Sequence, residues 1–311
     1  MSQFLGIDTS NYTSSVALFD ERSDVMIHTR RLLEVGKGQI GLRQSDVVFA
    51  HVKNVPDLVD DIFLKVEDRE ICAVGVSTRP RDEVKSYMPC FLVGQMIARS
   101  IASVLEIPCY EMSHQAGHIM SALYSAKRMD LLQRDFIAFH VSGGTTEAVM
   151  VSPSADRIFD VKVIARSLDL KAGQLIDRVG CMLGFDFPAG QQMDSLAYEY
   201  DMKKPKLKGV NCCLSGVENI CKKMYEEHRS SSEISAYCIT YVMKTLECMC
   251  DALLLKYGNM PVVFSGGVMS NSIISEKFKK KYDAVLANAQ FSSDNATGVA
   301  MLAKRMYREG R

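Results

Sequence analysis

Residues 5–19 read Leu5-Gly-Ile-Asp-Thr-Ser-Asn-Tyr-Thr-Ser-Ser-Val-Ala-Leu-Phe19, and residues 137–151 read Ile137-Ala-Phe-His-Val-Ser-Gly-Gly-Thr-Thr-Glu-Ala-Val-Met-Val151. Laid together without gaps, each is an apolar strand, a Ser-bearing tight turn and a second apolar strand, with Ser10 on Ser142 and Thr13 on Thr145. Each hairpin runs on to a third β-like stretch, Val25 to Arg30 and Ile158 to Ile164. Later in each half come a strand, a loop and a helix. These are Ile71 to Ser77 with Phe91 to Leu105, and Val262 to Ser265 with Asn271 to Lys281. A duplicated βββαβα plan accounts for both halves and predicts an α/β protein of two lobes facing a cleft.

Outward from the repeat, the first lobe is expected over residues 1–106 and the second over 107–311. Pro108 to Ser113 reads as a short strand entering a helix, with Ser113 as N-cap. The second lobe carries a mostly helical insertion at about 168–250, with a loop at Gly184 to Gly190 and a lysine-rich stretch, Lys203 to Lys208. Ser230-Ser-Ser-Glu233 caps a long helix running to about Tyr257. The last helix begins near Asp294, is expected to pack back on the first lobe, and ends in Lys304, Arg305, Arg308 and Arg311, cations that complement the helix dipole.

Bulk composition narrows the function classes. With 47% hydrophobic residues in 311, the chain can bury a large core. Lys plus Arg equal Asp plus Glu at 37 each, which argues against a standing nucleic-acid binder but leaves room for RNA on a local patch. No basic, apolar leader precedes the first strand, and no apolar run has the length of a membrane span. Ten cysteines without such a leader, none in zinc-knuckle spacing, point to free thiols in a cytoplasmic protein.

Several residue groups carry candidate chemistry. His114 and His118 lie four apart on one helix face, the spacing of a helical metal site, but Gln-Ala-Gly between them lacks a protease's glutamate. A metal needs a third ligand, which spacing alone does not supply. Gly143-Gly144-Thr145-Thr146 and Ser265-Gly266-Gly267-Val268 each follow an apolar strand, where backbone N–H groups can approach phosphate. Neither is a Walker loop or a dinucleotide fingerprint. Asp294 reads as an N-cap or a hard oxygen ligand. Asp177, beside Arg178 in a helix spanning Lys171 to Leu183, reads as solvent-facing charge or a ribose contact.

Seven short motifs in order then identify a resemblance that runs essentially end to end. They are Gly6-Ile-Asp-Thr-Ser10, His114-Gln-Ala-Gly-His118, Val141-Ser-Gly-Gly144, Asp177 with Gly190, Leu214-Ser-Gly216, Gly266-Gly-Val-Met-Ser-Asn271 and Ser293-Asp294-Asn295. The chain resembles the catalytic subunits that make threonylcarbamoyladenosine in tRNA, formerly described as O-sialoglycoprotein endopeptidases of the glycoprotease family. The resemblance implies the actin-like fold of sugar kinases and DnaK-type chaperones. It implies one divalent metal, iron or zinc, on His114, His118 and Asp294. It implies an adenine nucleotide, ATP or threonylcarbamoyl-AMP, held by Val141, Ser142, Gly143, Gly144, Thr145, Asp177, Gly190 and Asn271, beside Gly266 and Gly267. The implied partners are a small homologous actin-like subunit, a small ATPase and, transiently, tRNA. No residue is singled out as a general acid or base.

The chain departs from the family pattern at four places. Thr145 stands where a histidine or another polar ring is usual, and Tyr12-Thr13 where an acidic pair is common. Glu218 in Ser215-Gly-Val-Glu218 reverses a lysine's charge, and Thr78-Arg-Pro-Arg-Asp-Glu-Val-Lys85 replaces a Gly-Pro-Gly-Leu loop. Three readings follow: a metal-dependent threonylcarbamoyltransferase acting on tRNA, a divergent paralogue that holds metal and adenine nucleotide as a scaffold, or a metalloprotease, against which stands the lack of a glutamate next to His114.

Overall fold

The computed structural model describes residues 2–34, 42–66, 69–83, 85–287 and 295–311. The chain divides into two compact units, one of residues 1–129, 153–159 and 290–311, the other of 130–152 and 160–289. In the first, β1 (Gln3–Ser10), β2 (Thr13–Asp20) and β3 (Val25–Leu32) form an antiparallel meander. After α1 (Gln44–Phe63), β4 (Ile71–Arg79) pairs parallel to β1, and after α2 (Phe91–Leu105), β5 (Cys109–Ser113) pairs parallel to β4. Helix α3 (His114–Ser125) follows at once. The resulting order is β3-β2-β1-β4-β5.

The second unit repeats that order. Strands β6 (Phe136–Val141), β7 (Thr146–Pro153) and β8 (Phe159–Arg166) lead to the helical insertion α4 (Ala172–Met182), α5 (Gly190–Leu196), α6 (Ser215–Glu226) and α7 (Ser231–Tyr257). Then come β9 (Val262–Ser265), α8 (Ser272–Tyr282), β10 (Val285–Leu286) and α9 (Ala296–Arg308), and the strands lie in the order β8-β7-β6-β9-β10. The duplication read from the hairpins is thus present strand for strand. The boundary falls after residue 129, not after 106. The reason is β5: its parallel pairing with β4 makes it the edge of the first sheet, and the helix bearing His114 and His118 belongs to that unit.

Period-two alternation sorts the side chains of β1. Leu5 and Ile7 join Val55, Leu58 and Ile62 of α1 and Ala98 and Ala102 of α2 in one core. Phe4, Gly6 and Asp8 face the other way, where Phe4 meets Tyr307 of α9 edge-on at 5.6 Å. A Cβ on Gly6 would collide with the Ala296 carbonyl oxygen, and one on Gly298 with that of Gly117 in α3. Two glycines therefore let α9 lie directly on β1 and α3. In the second unit, Phe139 stacks on Phe264 at 4.6 Å within a core that α7 lines from Ile234 to Leu253. Ser113 and Ser230 cap α3 and α7 through their hydroxyls, accepting from Ala116 N–H and Glu233 N–H at 3.2 Å.

His51 of α1 is wholly buried beneath the first hairpin turn. Its Nε2–H donates to the Ser10 carbonyl at 2.9 Å, so Nδ1 accepts from Ser14 Oγ at 2.8 Å. Burial pushes its pKa down, outweighing the Ser10 carbonyl and Asp8.

Gly298→Ala should therefore force α3 and α9 apart and lower the urea midpoint by the equivalent of about 3 kcal/mol, at the upper end of overpacking effects. Gly216→Ala, whose added methyl meets nothing within 4 Å, should be neutral or stabilising. The unfolded chain protonates His51 near pH 6.5 while the folded one resists, so this contribution is lost as pH falls below about 6.5. His51→Gln should flatten the fall in urea midpoint between about pH 6.5 and 5.

Candidate functional site

The face of β1 that receives Gly6 also receives Asp8, and there the first unit assembles a polar cluster in an otherwise apolar layer. Asp8 accepts from His114 Nδ1 at 2.9 Å and from Asn295 Nδ2 at 3.0 Å. Asn295 Nδ2 also reaches Ser77 Oγ of β4 at 3.3 Å. Burial opposes charge on Asp8, but His114, Ser77 and Asn295 prevail and hold the carboxyl at about 2. An ionised acceptor on Nδ1–H leaves the His114 Nε2 lone pair exposed on the far side of the ring. That atom lies 2.9 Å from His118 Nε2.

This donor set fits a metal. Two tetrahedral nitrogens about 2.1 Å from zinc stand roughly 3.4 Å apart, so the imidazoles need to open by about half an ångström. The carboxylate behind His114 is the outer support that metal-bound imidazoles require. Beside them, the buried Asn295 Oδ1 has no hydrogen-bond partner among the described residues. The third expected ligand, Asp294, lies outside the described residues, and among the described residues no group of three His, Cys, Asp or Glu converges. Asp8 and Asn295 were missed as site residues on sequence. The available signal was a carboxylate at the end of an apolar strand, a residue type seldom fully buried without a partner.

The replaced loop braces the same helix. Asp82 accepts from Ser113 Oγ, the α3 cap, at 2.9 Å and from Arg79 Nε at 3.0 Å.

In the second unit, the nucleotide candidates are linked in a ring. Ser142 N–H donates to the Thr145 carbonyl at 2.7 Å and Thr145 N–H to Ser142 Oγ at 3.1 Å, closing the β6–β7 turn. The amides of Gly143 and Gly144 donate to no acceptor among the described residues, and an added Cβ would meet open space at either. Gly173 at the start of α4 presses on that turn and donates to the Ser142 carbonyl at 3.2 Å. Further along α4, Asp177 accepts from Ala189 N–H at 2.9 Å, beside Gly190. Burial pushes its pKa up against that N–H. Asp177 is thus half-buried and tied to the α5 entry, while Arg178 turns outward to Glu218 at 3.1 Å. From α5, Asp194 accepts from Ser272 N–H at 3.1 Å and Ser272 Oγ at 2.9 Å, anchoring the start of α8. Asn271 caps α8 by accepting from Ile274 N–H at 3.0 Å, and its buried Nδ2 has no partner among the described residues. Gly266, at φ 99°, abuts the Val141 carbonyl and closes the ring, with Gly267 exposed beside it.

Comparison with known proteins matches this arrangement to one family. The model of TsaD, tRNA N6-adenosine threonylcarbamoyltransferase, matches residues 45–301. The chain belongs to that family. A relative of that name from Riemerella anatipestifer is 24% identical over 330 residues, covering 99% of this chain and 94% of its own. Among solved structures, the chain is similar in fold to full-length HypF in its phosphate- and nucleotide-bound form, with TM-score 0.62, 13% identity and coverage of 97% and 56%. It is also similar to component A of the Acidaminococcus fermentans (R)-2-hydroxyglutaryl-CoA dehydratase, with TM-score 0.57, 13% identity and coverage of 99% and 100%. The fold is actin-like, as the family resemblance implied.

Asn271 offers a clean separation of roles. Asn271→Asp keeps a capping oxygen and exchanges the Nδ2 donor for a charged carboxylate oxygen, so stability should hold within about 0.5 kcal/mol while the AMP affinity expected from the family resemblance, read by calorimetry, falls several-fold. Asn271→Ala should also lower stability by about 1 kcal/mol.

Proposed function

We propose that this family member transfers a threonylcarbamoyl group from threonylcarbamoyl-AMP to the exocyclic amine of an adenosine in tRNA, and that it depends on a divalent metal. The observation that carries the reading is Asp8 bonded to His114, with His118 opposite, in a chain whose family model spans residues 45–301. In the reaction the amine nitrogen bonds to the carbamoyl carbon, the carbon–oxygen bond to phosphate breaks, AMP departs and an amine proton is released. His114 and His118 would hold iron or zinc, with Asp294 as third ligand. When bound, such an ion supplies Lewis acidity to a transferring carbonyl.

The remaining work falls to the chain itself. Asp8 fixes the His114 tautomer. The Gly143 and Gly144 amides, with no acceptor among the described residues, suit a phosphate oxygen whose charge grows as AMP leaves. Asn271 Nδ2 supplies a further buried donor, and Asp177 a carboxylate for ribose hydroxyls. ATP would use the same contacts.

The small homologous subunit and small ATPase stay part of the proposal. Support for a protein partner comes from exposed apolar side chains on the helices of the first unit, Phe49 and Val52 of α1 with Leu92, Met96 and Val104 of α2. All ten cysteines are free thiols, which suits the cytoplasm. No helix of the described residues is long and apolar enough to cross a membrane. The second reading, a scaffold paralogue, is favoured by Glu218, whose reversed charge is answered by Arg178 next to Asp177.

The deciding experiment supplies threonylcarbamoyl-AMP, tRNA and metal to the chain with its subunits, and measures modified nucleoside by mass spectrometry. His114→Ala should abolish product. Asp8→Ala should weaken zinc about 10- to 100-fold in a chelator competition. Binding of metal and nucleotide by the unaltered chain without any product would leave the scaffold reading.

A further inference from the structure

Beyond the candidate sites, the second unit presents an unusual segment between α5 and α6. Residues 197–207 adopt no helix or strand, yet they are pinned along α7. Tyr200 N–H donates to Thr240 Oγ1 at 2.9 Å, that hydroxyl donates to the Tyr198 carbonyl at 3.3 Å, and Lys244 Nζ donates to the Met202 carbonyl at 2.7 Å. The strap sets Ala197 and Leu207 against the core and turns its lysines outward. Lys203, Lys204, Lys206 and Lys208 are all exposed within six positions. Two acids share the strap, Glu199 and Asp201, and Glu199 is taken by Lys277 at 3.4 Å. Beneath it, Lys281 bonds Asp251 at 2.9 Å and Glu247 at 3.4 Å, and Tyr282 bonds Asp251 at 2.6 Å. The Glu199–Lys277 pair places the strap beside the lysine-bearing α8.

Aromatic rings adjoin the charge. Tyr198 is 49% exposed and tilts over Tyr200 at 6.5 Å, Tyr200 meets Tyr237 edge-on at 5.5 Å, and Tyr237 lies 6.2 Å from Tyr241. Tyr198 rests on Tyr200, which Tyr237 holds in turn, and offers its exposed surface to solvent. Lysines in extended chain next to a supported, exposed ring have the make-up of a single-strand nucleic-acid surface. The charges follow a phosphate backbone, and the ring stacks a base that is not held in a duplex. The chain's zero net charge does not speak against this, since the basic surplus is local.

We propose that Tyr198 to Lys208 is a docking strap for the unpaired loop of a folded RNA, Tyr198 stacking a loop base and the four lysines taking its phosphates. Gly190 opens α5 and Tyr198 follows the end of that helix, so the two lie at most about 16 Å apart along the chain. The inference rests on the transferase reading only in naming tRNA as the physiological RNA.

The test uses the full chain without metal or acyl donor, and fluorescence anisotropy with two probes, an RNA hairpin bearing a seven-nucleotide loop and a blunt RNA duplex. Tyr198→Ala should weaken hairpin binding about tenfold and leave the duplex unchanged, with Tyr198→Phe restoring it. Replacing Lys203, Lys204, Lys206 and Lys208 by Gln should reduce the slope of log affinity against log salt by about 0.7 for each phosphate no longer neutralised, up to roughly 3. Unchanged melting temperatures of these surface variants show that binding alone was altered. Hairpin affinity and salt slope unchanged in both variants would overturn the proposal. So would a loss equal for hairpin, duplex and polyglutamate, which marks a polyanion surface. Strap-dependent hairpin binding by a chain that modifies no tRNA would sink the transferase reading and keep the strap. Modification by the four-lysine variant at an unchanged KM for tRNA would do the reverse.

Discussion

The packing of α9 on β1 and α3 is the constraint on which the first unit's chemistry depends. Helices usually pack 8–10 Å apart because side chains fill the space between them. Here Gly6, Gly117 and Gly298 remove those side chains, and the backbones approach until a single methyl group would not fit. That approach brings Asn295, at the entry to α9, onto Asp8 and His114 at 3.0 Å. The helix bearing His114 and His118, the end of a central strand and a helix entry 287 residues from Asp8 thus meet without a connecting loop. Dense packing also gives rigidity, which a site needs if its donors are to hold their directions.

Asp8 shows how such a site keeps a charge in an apolar layer. An isolated buried carboxylate would take up a proton. Three donors instead stabilise its ionised form, and its charge in turn sets the tautomer of His114. The second unit solves a different problem. Around its glycine turn, support comes through α4, α5 and α8 by way of Asp177, Asp194 and Asn271. Each of these side chains accepts from a backbone N–H at or near a helix start. Each does structural work, and the Nδ2 of Asn271 is left without a partner among the described residues.

The departures from the family pattern acquire physical meaning beside these bonds. Glu218 in place of a cation is matched by Arg178, an exposed pair worth little in stability but one that shifts the local charge. The arginine-bearing loop gives Asp82 to the Ser113 hydroxyl, so it braces the start of α3 rather than merely losing glycines. In both places the altered residue has a partner.

Much of this architecture was legible in sequence because it rests on local rules. Apolar runs with turn residues gave both hairpins, Ser113 and Ser230 announced their helices through the capping hydroxyl, and His114 with His118 share a face because a helix repeats every 3.6 residues. The glycine turns and the order of the seven motifs were likewise written in consecutive residues. Tertiary structure alone decided the rest. It assigned β5 and α3 to the first unit, because strand pairing joins residues far apart in the chain. It turned Asp177 from a solvent-facing charge into the acceptor for Ala189 N–H, because a half-buried helix face is defined by what packs on it. It revealed Asp8 and Asn295 as partners, because a hydrogen bond spanning 287 positions leaves no periodic trace in either neighbourhood.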